Sequence, residues 1–277
     1  MKKLFLTVSL LLWAFSLPAA IITVDVNGQG DYTTIQDGID AASNGDEVYV
    51  LDGTYNGFKN RNLSWSNKHI TVRSLSGPDN CIIDCEESGR GFNLIDSNIS
   101  NDDLIYGLTI RNGFVGQDEN GAGIRCANGA SPTIQNCIIK DNYSDNYAGN
   151  NHDNLGVGTY CEGSTIVKNC VIKDNYGMDI EGGAGIACKG DVTIENCTFS
   201  GNYLSFWLGI DNPVVNRLGH AIYVFDSSDL GNPQIINNEF YENYEFDSFT
   251  GYGVIVIESK YPHNFGDTLK ITGNSLL

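Results

Sequence analysis

From Ile105 to its end the chain alternates apolar and polar residues in short runs, the period of a strand with one buried face. Asn, Asp and Gly punctuate the runs. One phrase recurs: Thr133-Ile134-Gln135-Asn136-Cys137-Ile138-Ile139-Lys140-Asp141-Asn142-Tyr143. It returns from Ile166 to Tyr176 and from Thr193 to Tyr203, with a weaker copy from Ile235 to Tyr244, a degenerate one from Ile105 to Phe114 and a last one from Ile271 to Leu276. A second phrase alternates with it, as Gly121-Ala122-Gly123-Ile124-Arg125-Cys126, Gly156-Val157-Gly158-Thr159-Tyr160-Cys161 and Gly183-Ala184-Gly185-Ile186-Ala187-Cys188, with looser copies at Gly89, Gly219 and Gly251.

A unit of two or three short strands cannot bury its apolar side alone and must stack on its neighbours. Stacking puts Ile134, Val167, Ile194 and Ile235 in one column and Ile139, Ile172, Phe199 and Phe240 in another, ~4.8 Å per step, the spacing of paired strands. The repeats lack a helical period, the Leu skeleton of a leucine-rich solenoid and the steady four-strand unit of a propeller. The pattern predicts an all-β fold, a right-handed parallel β-helix. Two asparagine ladders are expected along it, Asn136, Asn169, Asn196 and Asn237 at one turn and Asn142, Asn175, Asn202 and Asn243 at the next. Upstream, Asp31 is expected to cap a short helix carrying Ile35, Ile39 and Ala42 on one face, a lid over the open end of the stack. Val48, Val50 and Leu51 then start the first strand. Residues 21–277 are read as one domain, with the cap and first strand in 21–55 and the coils in 56–277. The stack ends inside a repeat at Leu277, so a partner or further chain is expected to cover it.

Residues 1–20 read as a secretory signal. Lys2 and Lys3 precede an apolar run from Leu4 to Phe15, too short to span a bilayer comfortably, with cleavage after Ser16 or Ala20. The mature chain has no other apolar stretch long enough to cross a membrane and is expected to be secreted or held at the cell surface. Lys and Arg number 16 against 34 Asp and Glu, a net charge of −18. That excludes nucleic acid as a partner, since phosphate backbones need a basic surface. It also weighs against an unaided grip on acidic polysaccharide. A hydrophobic share of 41% is too high for a disordered chain.

The 8 Cys are Cys81, Cys85 and two columns of three: Cys126, Cys161 and Cys188; Cys137, Cys170 and Cys197. Three readings stay open. They stack in the core as small apolar side chains, they pair as disulfides within a column in an exported protein, or they bind a metal, against which the lack of close Cys pairs with His partners counts.

The stretch Gly30-Asp31-Tyr32-Thr33-Thr34-Ile35-Gln36, followed by Ile39-Asp40-Ala41-Ala42, resembles the opening of pectin methylesterases. The rest resembles the wider pectin lyase-like superfamily of parallel β-helix proteins. The resemblance implies a substrate lying along the outward face of one strand column and the loops beside it. The glycine phrase is the candidate column. Its outward positions are read as Gly91, Asn93, Gly123, Arg125, Gly158, Tyr160, Gly185, Ala187, Ala221, Tyr223, Gly253 and Ile255, and none is a carboxylate. Glycoside hydrolysis takes two carboxyls across the bond. The later motifs of pectin methylesterases are not found, the Gly-His-Gly step of polygalacturonases survives only as Gly219-His220-Ala221, and Arg125 alone is weak support for a pectate lyase. No catalytic residue is carried over.

The insertions fall after the aromatic position and before the next glycine phrase, so they project from one corner. There Tyr, Phe and Trp stand among Asp and Asn, a mixture suited to sugar rings with apolar faces and hydroxyl rims. The substrate-binding candidates are Arg125, Tyr160 and Tyr223 on the column and Tyr147 and Trp207 in the loops. The catalytic candidates are the loop acids Asp153, Asp179, Glu181 and Asp211. The same acids would take calcium, which needs several oxygen ligands, although no regular calcium-loop spacing is present; no metal ligand is assigned. The first reading is an exported protein that binds, and in a stronger form processes, a carbohydrate polymer. The alternatives are a polysaccharide lyase or hydrolase acting through the loop carboxylates, and a structural or adhesive surface protein without catalysis.

Overall fold

A computed structural model of the protein describes residues 18–117, 119–146, 154–178, 180–205, 220–226, 233–245, 254–259 and 270–276. Each coil contributes a strand to each of several parallel sheets. One full coil runs Ile124–Cys126, Thr133–Gln135, Ile138–Lys140 and Tyr143–Asp145, and these strands enter sheets of six, nine, eight and five strands. All pairings between these strands are parallel and in register. Ile134 lies opposite Val167, Val167 opposite Ile194 and Ile194 opposite Ile235; Ile139, Ile172, Phe199 and Phe240 form the second expected column. Both columns are buried in one continuous core. The rings of Phe199 and Phe240 stack inside it with centroids 5.0 Å apart.

The N-terminal end departs from expectation in two respects. The first strand is Ile21–Val24, upstream of the helix, and it pairs with Glu47–Val50. The helix α1 spans Ile35–Ala41, and its cap is Thr34 rather than Asp31. The Asp31 carboxylate instead accepts from the backbone N–H and hydroxyl of Thr23. A lid this short needs outside partners at both ends. The buried Asn60 supplies one, its Oδ1 accepting from the Ile35 N–H at 2.8 Å. Lys68 supplies the other, its Nζ donating to the carbonyls of Ile39 and Ala42 at 2.6 and 2.8 Å. Ile35 and Ile39 close the core beneath.

The turns show which asparagines do the stacking. Asn142, Asn175 and Asn202 are buried, and each amide bonds to the next: Asn142 Nδ2 to Asn175 Oδ1, Asn175 Nδ2 to Asn202 Oδ1 and Asn202 Nδ2 to Asn243 Oδ1, all at 2.9 Å. The same oxygens accept backbone N–H groups, from Gly113 onto Asn142 and from Asn142 onto Asn175. The other expected ladder does not form. Asn136, Asn169, Asn196 and Asn237 all have φ between 52° and 54°, in the left-handed region. They are turn formers, with the next residue pointing inward in their place.

That next residue is Cys137, Cys170, Cys197 and then Asn238 and Asn274. Cys137 N–H donates to Cys170 Sγ at 3.5 Å, while Cys197 N–H and Asn238 N–H each find an Asn Oδ1 at 2.8 Å. The thiols donate back to the coil below, Cys170 to the Ile134 carbonyl and Cys197 to the Val167 carbonyl, as Asn238 does to Ile194. Thiol and amide thus fill one structural role. All eight cysteines are buried free thiols. Burial pushes Cys81 and Cys85 up to about 12 and raises Cys137, Cys170 and Cys188 well above the ordinary thiol value.

Outside the core, the five-stranded sheet carries a second stack of rings on its outer face. Phe114, Tyr143, Tyr176 and Tyr203 follow at centroid distances of 5.6, 5.1 and 4.4 Å. A small cluster of Val115, Ala122, Val157, Ile180, Ala184 and Leu204 seats the corner from which the insertions leave. No helix among the described residues is long and apolar enough to cross a membrane.

Asn175→Ala leaves buried amide groups on Asn142 and the Ile139 carbonyl without partners and is expected to cost roughly 3 kcal/mol. Asn169→Gly, at an exposed left-handed position, is expected to stay within about 0.5 kcal/mol of the parent. Urea unfolding of the two variants decides between the two turn assignments. In a thiol-reagent assay the native protein is expected to give no fast reaction and the unfolded, unreduced protein eight equivalents; fewer than eight in the unfolded chain would reveal disulfides.

Candidate functional site

The glycine phrase has two glycines with different duties. Gly121, Gly156 and Gly183 turn the chain at φ of 68°, 63° and 72°. The second glycine faces its neighbouring coil instead of solvent: a Cβ on Gly123 would lie 2.4 Å from the Gly158 carbonyl oxygen, and one on Gly158 would lie 2.5 Å from that of Gly185. The expectation that Gly91, Gly123, Gly158 and Gly185 point outward is therefore corrected. Their backbone packs too closely for any side chain, and the outward surface of the strand begins at the residue two further on.

That outward column runs Asn93, Arg125, Tyr160, Ala187, Tyr223 in direct register. Arg125 Nη1 donates to Asn93 Oδ1 at 3.3 Å, while its Nε is buried and has no partner. Arg90 stands close by. Its Nε donates to the Asn120 carbonyl at 2.9 Å and its Nη2 lies 3.3 Å from Glu119. Burial lowers the Arg90 pKa; Glu119 opposes the shift and the Arg125 charge adds to it. Two guanidiniums thus converge on one face of a strongly acidic chain.

The tyrosines differ from expectation. Tyr160 and Tyr223 are only 5% and 1% exposed, packed with Ala127, Leu155 and Ala187 and flanked by the half-buried Phe225. They are not open platforms for a sugar ring, because these neighbours bury their rings. Their hydroxyls are engaged: Tyr160 donates to Glu162 Oε1 at 2.9 Å and Tyr223 to Glu181 Oε1 at 3.4 Å. Burial first, and the Glu162 carboxylate second, push the Tyr160 pKa well above the ordinary tyrosine value.

At the N-terminal end of the same face lies a groove of about 370 Å³ lined by Gln36, Asp40, Ser64, Trp65, Ser66, Lys68, Asn93, Ile95 and Asp96. Asn93 belongs both to this groove and to the Arg125 column. Trp65 is held rigidly, its ring edge-on to Phe92 at 6.4 Å and its Nε1 donating to Asp103 Oδ1 at 2.9 Å. The fully buried Asp103 also accepts from the Ile70 and Ser100 N–H groups and meets His69 Nδ1 at 2.9 Å. His69 opens onto a smaller recess of about 200 Å³ with Asn44, Asn67, Lys68 and Asn98.

Of the nine expected site residues, Arg125, Tyr160, Tyr223 and Glu181 meet on this face. Asp153, Asp179, Asp211, Tyr147 and Trp207 lie outside the described residues. Among the described residues no three His, Cys, Asp or Glu side chains gather to hold a metal ion. His220 is buried, and burial lowers its pKa. Sequence reasoning missed Trp65, Arg90, Glu162 and the groove beside α1. Arg90 was within reach, since it stands between Gly89 and Gly91 in a loose copy of the glycine phrase.

The fold and this face define a parallel β-solenoid with an elongated surface site beside its capping helix. The chain belongs to the right-handed beta helix family, whose profile matches residues 22–276. Solved structures of similar fold include the pectin methylesterase of Aspergillus niger, at 15% identity over 88% of this chain and 92% of that one, with a TM-score of 0.41. A pectin methylesterase in complex with hexasaccharide VII matches at 13% identity over 84% and 68%, with a TM-score of 0.44. The enzyme from carrot matches at 10% identity over 87% and 88%, with a TM-score of 0.40. Comparison with curated proteins found no match.

The hydrogen bond that His69 donates to the Asp103 carboxylate raises the His69 pKa above its ordinary 6.5. The folded form then holds the proton more tightly than the unfolded chain. The resulting stabilisation is present in full below 6.5 and is lost as pH rises through the higher folded value. The stability gap between the parent and His69→Gln, measured by urea unfolding, is expected to shrink as pH rises from below 6.5 into the alkaline range. A gap that is constant over this range would remove His69 as the titrating group.

Proposed function

We propose that the protein is exported and binds a carbohydrate polymer along the outward face of its six-stranded sheet, from the groove beside α1 toward the corner loops. Support comes from one feature above all: the Asn93–Arg125 column opens at one end into a groove walled by an indole, amides, hydroxyls and carboxylates. Such a mixture of a rigid apolar wall with a few directed polar groups suits saccharides. The Arg125 guanidinium adds a grip for hydroxyls or an acidic group, while Arg90 is held by Asn120 and Glu119. Calcium on the corner acids would serve the same end, by bridging an acidic chain to an acidic sugar.

Binding stands ahead of catalysis on this face. A hydrolase needs two carboxyls across the scissile bond; on this face Glu162 and Glu181 are engaged by tyrosine hydroxyls, and the groove's Asp40 and Asp96 accept from Gln36, Asn67 and Asn98. Export fits the disposition of Ala20, whose N–H donates to Asp46 and whose carbonyl accepts from Glu47. Cleavage after Ser16 keeps those bonds, and the intact mass of the exported protein checks it.

The main test is affinity electrophoresis of the purified protein in gels containing pectin, alginate or neutral glycans. At least one polymer is expected to retard the parent, and Arg125→Ala is expected to weaken that binding about fivefold or more while unfolding at the parent's urea midpoint. Retardation by none of them would favour a structural or adhesive role. Release of reducing ends or unsaturated products would move the protein to the enzyme class.

A further inference from the structure

The nine-stranded sheet faces solvent on a different side of the coil, and its outward column contains a cation in an unusual setting. Tyr49, Arg73, Tyr106, Gln135 and Lys168 follow one another in direct register. The Arg73 guanidinium lies over the Tyr49 ring at 5.4 Å on one side and the Tyr106 ring at 5.2 Å on the other. The two rings therefore flank the guanidinium from the coils on either side, and its N–H donors lie between them. Those donors are unspent. The nearest carboxylate oxygen, Glu47 Oε2, is 3.7 Å from Nη1; that oxygen and Arg73 Nε are both buried without a hydrogen bond, so the terminal Nη groups are the donors open to a ligand.

A guanidinium pinned between two rings has already lost most of its rotamer freedom and keeps its fork of donors fixed in space. A planar carboxylate arriving in that plane makes two parallel N–H···O bonds. Glu47 does not saturate these donors, because its Oε2 stands 3.7 Å from Nη1, beyond hydrogen-bond range. Farther up the column Gln135 and Lys168 offer further donors, with Lys168 three strand steps, or about 14 Å, from Arg73. One strand step is comparable to the length of one sugar ring in an extended polymer. The acids elsewhere on the molecule are screened beyond a Debye length of about 8 Å at physiological salt.

We infer that the outer face of the nine-stranded sheet is a second binding strip, in which Arg73, clamped by Tyr49 and Tyr106, takes the carboxylate of an acidic polysaccharide and Gln135 and Lys168 take the sugars that follow. The occupant is a glycan because the groups flanking the fork are aromatic edges and an amide at sugar-length spacing, which a chain of acidic peptide side chains would not use. The strip is independent of the Arg125 face and goes beyond the function proposed for that face.

The experiment measures binding of alginate, of its carboxyl-esterified form and of poly-glutamate by calorimetry, for the parent, Arg73→Gln, Arg73→Lys and Arg125→Ala. Alginate is expected to bind the parent, Arg73→Gln to weaken it about tenfold and Arg73→Lys to recover only part of the loss, since lysine keeps the charge without the fork. The esterified polymer is expected to show no dependence on residue 73. The Arg73 effect is expected to persist in the Arg125→Ala background, which separates this strip from the other face. Unchanged alginate affinity in Arg73→Gln overturns the inference, and poly-glutamate binding with equal dependence on Arg73 overturns the assignment of a glycan. Should Arg73→Gln fail to fold, the parent serves: alginate is expected to protect Arg73 from phenylglyoxal in mass-spectrometric footprinting, and unprotected modification overturns the proposal.

Discussion

Each coil bends twice through a tight inner corner, and at each corner a backbone N–H and a carbonyl are buried where water cannot reach them. Leaving such groups unpaired costs about 1–3 kcal/mol apiece, repeated at every coil. The chain meets this with one inward side chain per corner that accepts from the coil below and donates back to it. Asn175, Asn202 and Asn243 do so at one corner. Cys170 and Asn238 do so at the other, where Cys197 donates back to the Val167 carbonyl. Because each rung bonds to the next, a coil cannot slip without breaking several bonds at once. That constraint fixes the register of every sheet, and the stacked rings of Phe199 and Phe240 inside and of Tyr143, Tyr176 and Tyr203 outside follow from it.

Fixed register also decides where function has room. The inward positions are committed to packing, and the second glycine of the phrase is committed to close approach between coils. Only the outward positions of strands and the insertions at the corner are free to vary. Within a column neighbours are one strand spacing apart, so a binding surface on such a molecule is linear by construction and suits a linear polymer. The groove beside α1 interrupts this regularity because the lid lacks a repeat: Trp65, Asp103 and His69 form a network seen once in the described chain.

Repetition made the core columns readable, since matched apolar positions at variable spacing admit few architectures. The phase of the corner was harder. Asn136-Cys137 offers two adjacent residues, and asparagine was taken as the inward one. Glycine held the answer: Gly107, Gly201 and Gly273 stand at the first corner position in other copies, with φ of 66°, 62° and 67°. A position that accepts Gly in place of Asn or Asp asks for left-handed backbone and nothing from a side chain. Asn238 and Asn274, in the Cys column, pointed the same way. The burial of Tyr160 and Tyr223 was not legible, because alternation tells which side of a strand a residue is on and not whether neighbours bury that side. The Trp65–Asp103 bond joins residues 38 apart with no repeat to align them.

The distribution of positive charge ties these threads together. In a chain of net charge −18 the cations are few, and most on the sheets are answered locally. Arg111 meets Asp84 at 2.9 Å, while Lys140 and Lys173 meet the acid that follows each in sequence, Asp141 and Asp174. Arg61 likewise meets Glu86 at 2.9 Å. Among the described arginines, only Arg73 and Arg125 hold a buried Nε without a partner. Both sit on outward strand columns, and both are flanked in register by tyrosine, Arg73 by Tyr49 and Tyr106 and Arg125 by Tyr160. A protein that otherwise neutralises its cations side by side has kept two of them short of donors' full complement, on two separate faces, beside aromatic rings. Local packing does not require that arrangement at either place, since a lysine free to reach solvent would remove the unpaired nitrogen without loss of charge. An external acceptor would reach these side chains through their terminal Nη groups, because each Nε has no exposed surface.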